Sequence, residues 1–204
     1  MKKFNTAGIL AVLMMCLTAC GSGTGARETG MSTLKLDKNG SVEHTIVESF
    51  DKEYYDLDGL NSLIGGSIEQ YCEENPTAEI TLTGSEITDS KVIVNMKYDS
   101  AASYMGYNSQ LLFVGTIQEA YTAGYDLDLS LVSTKNETDR IGKQELLGMG
   151  EHHIVLMKIP DSVENGIRLE CYGDILYVGD NVSVVSKKMA DIEQTQGVSV
   201  VVFK

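Results

Sequence analysis

The sequence predicts an α+β domain built mainly on antiparallel sheet, with one longer N-terminal helix and one or two short helices. Three observations carry this expectation. Apolar and polar residues alternate with a period of two over many short stretches. Turn-forming Gly and Asn residues punctuate those stretches at close intervals. From Asp58 the period changes: Leu60, Leu63, Ile64, Ile68, Tyr71 and Cys72 recur at helical spacing.

In chain order, Thr33–Asp37 alternates, Asn39 and Gly40 form a hairpin turn signal, and Ser41–Phe50 alternates again. Asp58 is placed to cap the helix that follows, and Asn75 with Pro76 ends it. Gly65 and Gly66 weaken that helix by about 1 kcal/mol each relative to Ala, which suggests that another element packs closely there. Glu79–Thr83 and Lys91–Lys97 read as a second strand pair. A short helix is expected within Asp99–Tyr107, then the apolar run Leu111–Val114. Thr116 caps an expected helix over Ile117–Ala123, closed by Gly124. Asp126–Val132 alternates, and His153–Ile159 reads as a strand stopped by Pro160. Short strands are expected at Ile167–Tyr172, Ile175–Val178, Val182–Val185 and Val198–Phe203.

Residues 31–204 are one domain's worth of chain. The composition, 43% hydrophobic and 22% charged, allows a substantial core without disulfide staples. Residues 1–30 have a different character. Met1, Lys2 and Lys3 give a positive start, and Ala7–Ala19 is apolar apart from Thr18 and the weakly polar Cys16. That length suits an export signal and falls short of a spanning helix. It closes on Leu17, Thr18, Ala19 and Cys20.

This tetrapeptide resembles the lipobox of bacterial lipoproteins, and the chain as a whole resembles small lipoproteins of Gram-positive bacteria. The resemblance implies that residues 1–19 are a lipoprotein signal peptide and that Cys20 is the lipid-attachment residue. The protein is then held at the cell membrane by that lipid, facing the extracytoplasmic side. Residues 20–30, rich in glycine and without apolar periodicity, read as the lipidated cysteine and a flexible tether. Residues 31–204 read as a single extracytoplasmic domain.

Net charge narrows the partners. The full chain carries −13, and loss of Lys2 and Lys3 with the signal makes it −15. An acidic surface argues against nucleic acid and against electrostatic docking on anionic lipid.

Chemistry-bearing motifs are sparse. Asp56 and Asp58 before Gly59 suggest calcium, but an EF-hand loop registered on that glycine lacks carboxylates at both its ends, Tyr54 and Gly65. His152 and His153 are neighbours, and strand neighbours point to opposite faces, so no metal site is expected from them. Ser32 and Lys35 match the Ser-x-x-Lys of penicillin-binding enzymes by letter, but they enter a strand rather than start a helix, and the partner motifs are absent. No catalytic residues and no cofactor are expected. Cys72 and Cys171 are left as a possible disulfide or as two separate buried thiols.

Of the ten tyrosines, Tyr104, Tyr107, Tyr121 and Tyr125 crowd together in sequence. Tyrosine offers a large rigid contact with a polar tip, so these four form the candidate binding surface. The expected function is a non-enzymatic binding or interaction module of the cell envelope, with an envelope protein or polymer as partner. The alternative is an envelope hydrolase whose carboxylate site no spacing marks.

Overall fold

The computed structural model describes residues 30–160, 163, 165–195 and 197–204. The expected signal peptide, Cys20 and the tether before Gly30 lie outside the described residues.

The chain runs β1 (Ser32–Leu36), β2 (Val42–Ser49), α1 (Leu57–Glu74), β3 (Ile80–Thr88), β4 (Lys91–Tyr98), α2 (Ala101–Asn108) and β5 (Leu112–Thr116). It continues through α3 (Ile117–Thr122), β6 (Leu131–Ser133), β7 (Arg140–Ile141), α4 (Lys143–Gly148) and β8 (His153–Met157). It closes with β9 (Ile167–Glu170), β10 (Ile175–Val178), β11 (Val182–Val184), β12 (Met189–Ile192) and β13 (Ser199–Phe203). This is the α+β class, dominated by antiparallel pairing.

The strands make two sheets. The larger has the order β11-β12-β9-β1-β2-β4-β3, and the smaller β5-β8-β13-β10-β6-β7. Every neighbouring pair is antiparallel except β1 with β9.

Alternation divides the larger sheet into two faces. Leu34, Leu36, Val42, Val94, Met96, Leu169 and Ile192 point into a core shared with the smaller sheet. The opposite face is polar and cross-linked between strands. Lys35 pairs with Glu43 at 3.1 Å, Arg168 with Asp191 at 2.7 Å, and Thr45 donates to Asn95 at 2.8 Å. Each of these pairs sits directly opposite in the register, where cross-strand side chains meet.

The smaller sheet is covered on both faces. Val155, Met157, Val201 and Phe203 join the inter-sheet core. Ile154, Leu156, Val200 and Val202 instead pack with Ile117, Ala120, Leu127 and Leu146, from α3, α4 and the loop between β6 and α3. A strand buried on both faces has no use for alternation, and β8 and β13 read as continuous apolar runs.

Helix α1 covers the rest of the larger sheet's inner face, packing along β3. Leu57, Leu60, Ile64, Ile68 and Tyr71 touch the core but are only partly buried, and no residue of α1 is fully buried. Helix α2 packs beside it. Gly106 of α2 leaves the space that the Tyr71 side chain occupies, since a Cβ there would overlap its hydroxyl.

Several expectations need correction. The cap of α1 is Asp56, whose carboxylate accepts from the Gly59 N–H at 2.7 Å, so the helix starts two residues earlier than Asp58 implies. Gly65 and Gly66 face open space, with no atom within 4 Å of a Cβ built on either. Alternation over Asp126–Val132 becomes strand only at β6. There are three short helices, not one or two, among the described residues. The extra one, α4, begins at Gly142, which has no side chain to signal a cap. Glu145 reaches back to the Gly142 N–H instead, at 3.1 Å.

Candidate functional site

A cleft of about 160 Å³ opens at the seam between the two sheets. One wall is the β1–β2 turn, with Asp37, Lys38 and Ser41; the other holds Val114, Gly115, His153 and Tyr172. The turn is held by its own side chains. Asn39 Oδ1 accepts from the Ser41 N–H at 3.0 Å and from the Ser41 hydroxyl at 2.8 Å. The same hydroxyl lies 3.1 Å from Asp37 Oδ2, and Lys35 reaches Asp37 at 3.3 Å.

Packing fixes the second wall. The His153 ring stacks on Phe203 at 5.3 Å and meets the edge of Tyr172 at 5.4 Å. A Cβ on Gly115 would come within 2.8 Å of the Phe113 ring and 2.9 Å of Glu119 Oε2, so a larger residue there would displace those side chains. That carboxylate closes a capping box with Thr116, accepting its N–H at 2.7 Å. The Thr116 bonds hold Glu119 below the usual carboxylate range, with a smaller contribution from nearby His153.

The cleft's lining mixes charged and polar side chains with the apolar Leu36, Val42 and Val114. The Ser41 hydroxyl is engaged by Asn39 and Asp37, the His153 ring is sandwiched, and Glu119 favours its ionised form, so it is not tuned as a general acid. Among the described residues no group of three His, Cys, Asp or Glu side chains could hold a metal ion. Comparison with protein families, curated proteins and solved structures finds no match for this chain.

The four tyrosines expected to share a surface do not. Tyr104 is 1% exposed, and its hydroxyl donates to Gln110 at 3.1 Å. It packs edge-on to Tyr98 at 5.1 Å, and burial pushes both phenols up, Tyr98 to about 12. Tyr107 is half-buried between Tyr98 and Tyr71. Tyr125 packs on Phe113 in the layer behind the smaller sheet, and Tyr121 is exposed. Closeness in sequence puts them in different layers, because β5 runs between α2 and α3 and carries the chain from one core to the other.

Cys72 and Cys171 are both free thiols. Cys171 is buried in the inter-sheet core, and burial pushes its thiol up to about 12, which makes it inert. His44 is also buried, on the inner face of β2, edge-on to Tyr104 at 5.4 Å. His152 precedes β8 and His153 opens it, and neither is part of a metal cluster. Cys20 lies outside the described residues.

Sequence reasoning missed the most exposed aromatic group among the described residues. Tyr54 is 79% exposed and Tyr55 41%, their rings meeting edge to face at 5.0 Å, and Tyr55 leans on Phe50 at 4.8 Å. The available signal was two adjacent tyrosines inside an acidic, non-periodic segment, Asp51–Asp56, where no core demands them.

Proposed function

We propose that the chain is a membrane-anchored extracytoplasmic lipoprotein whose domain is a non-enzymatic binding module of the cell envelope. The observation that carries the reading is Leu17-Thr18-Ala19-Cys20 closing a positively started apolar stretch of signal-peptide length. Among the described residues no helix is long and apolar enough to cross a membrane, so a lipid at Cys20 would supply the attachment. The seam cleft suits a small polar ligand or a polar side chain of an envelope partner. Asp37, Lys38, His153 and Tyr172 line it with both charge signs and two aromatic rings.

Mass spectrometry of the chain purified from native membranes tests the reading. The expected mature chain begins at Cys20 and carries acyl chains, and Cys20→Ala leaves the membrane fraction or stays unprocessed. A mature chain that keeps residues before Cys20, or carries an unmodified thiol there, overturns it. Incubation with envelope polymers is expected to release no fragments, and release abolished by His153→Ala would replace the binding module with a hydrolase.

A further inference from the structure

The described chain begins at one end of the larger sheet, and the exposed aromatic group lies at that same end. A Cβ on Gly30 would sit 2.8 Å from the Lys91 ammonium, and Gly30, Ser49 and Lys91 line one cavity. Lys91 follows the β3–β4 turn, and the Phe50 N–H donates to the carbonyl of Ser90 in that turn at 2.7 Å. Phe50 carries Tyr55, and Tyr55 carries Tyr54. Ile87, 48% exposed, flanks the same turn on the α1 side of the sheet. The seam cleft lies at the opposite end of β1, around Asp37 and Gly40.

We infer that the end of the domain bearing Phe50, Tyr54, Tyr55 and Ile87 rests on the bilayer surface. This rests on the lipid-anchor reading. Residues 21–30, as the coil their composition suggests, span roughly 5–6 Å × √10, about 15–20 Å. That is less than the roughly 40 Å width expected of a compact domain of this length, so this end is the one the anchor brings to the headgroups. Tyrosine rings are suited to that region, where one end is wet and the other apolar. Once one residue is anchored, the second contact forms at high effective concentration and needs little affinity of its own.

The surrounding charge sets the lipid preference. Asp51, Glu53, Asp56, Asp58 and Asp89 are exposed at this end, against Lys52 and Lys91. The contact is therefore apolar and interfacial, and anionic headgroups repel it. It leaves the seam cleft pointing away from the membrane, towards an envelope partner.

The absence of tryptophan from the chain makes a direct test possible. Tyr54→Trp in the acylated protein gives one indole at the rim, and Lys38→Trp gives one at the opposite end. Each is reconstituted in phosphatidylcholine vesicles whose acyl chains carry bromine, and flotation establishes anchoring separately. The expected result is flotation of both, with quenching and a blue shift for Tyr54→Trp only, weakened when phosphatidylglycerol is added. Flotation with neither indole quenched, or both quenched alike, overturns the rim contact while the anchor stands. A blue shift at Tyr54→Trp without quenching, growing with protein density, assigns the rim to a second copy and also overturns it. Failure of the wild-type membrane-derived protein to float removes the anchor reading, and this inference with it.

Discussion

The inner face of the larger sheet is closed by two unlike covers. Over one part lies the smaller sheet, whose β8 and β13 residues are essentially all buried. Over the β3 edge lies α1, eighteen residues long without one fully buried, with Leu63 75% exposed and Gly65 and Gly66 facing open space. A β-strand sandwiched on both faces gains stabilisation from every side chain, whereas a helix at an edge gains it from one stripe. Stability thus concentrates in the two-sheet layer, and the looser cover is free to carry exposed groups such as Leu63.

Substitutions separate the covers by size of effect. Phe203→Ala, in the two-sheet core, is expected to lower unfolding free energy by about 3–5 kcal/mol in denaturant titration. Ile64→Ala, on the core-facing stripe of α1, is expected to lower it by roughly half that or less, because the site is only partly buried. Equal losses would erase the distinction.

Acid probes the core where the covers meet. Burial lowers His44 from 6.5 to about 4, so the neutral ring is the folded form. Between those values the unfolded chain holds one more proton. The contribution is therefore present above about pH 6.5 and is lost as pH falls towards 4, about 3 kcal/mol in all. His44→Leu is expected to flatten the difference in stability between pH 7 and pH 4 relative to the parent, read by thermal unfolding at both.

The glycines of α1 give a smaller effect of opposite sign. Gly65→Ala and Gly66→Ala meet nothing in the folded domain and are each expected to stabilise it by about 1 kcal/mol. Destabilisation would mean that something packs on that face after all. Smallest is the polar outer face, where Asp191→Asn breaks the fork with Arg168 at an expected loss of about 1 kcal/mol or less.

The covers also differ in how far the sequence discloses them. The hairpin at Asn39 and Gly40, the alternation of β2 and β4, and the Thr116 cap of α3 are local signals, and each structure formed where its signal stood. Strand β12 has only four residues and no apolar run, and it exists because β9 and β11 flank it. The parallel pairing of β1 with β9 joins distant parts of the chain and leaves no local trace. The same limit hid the site. Whether Tyr104 faces outward or into the core depends on which layers close over α2, and the seam cleft joins Asp37 to His153 only through the stacking of two sheets. The Tyr54 and Tyr55 pair was visible, but its exposure follows from lying between β2 and α1 at the open end of the sheet.

Amide hydrogen exchange on the purified protein tests most directly whether a rigid layer and a loose layer share one core. The expected result is that β8 and β13 amides exchange only through global unfolding, while α1 amides between Leu57 and Glu74 exchange through a cheaper local opening. Protection of α1 equal to that of β8 and β13 would contradict the account, making the helix part of the rigid core and leaving its exposed residues without the freedom assigned to them.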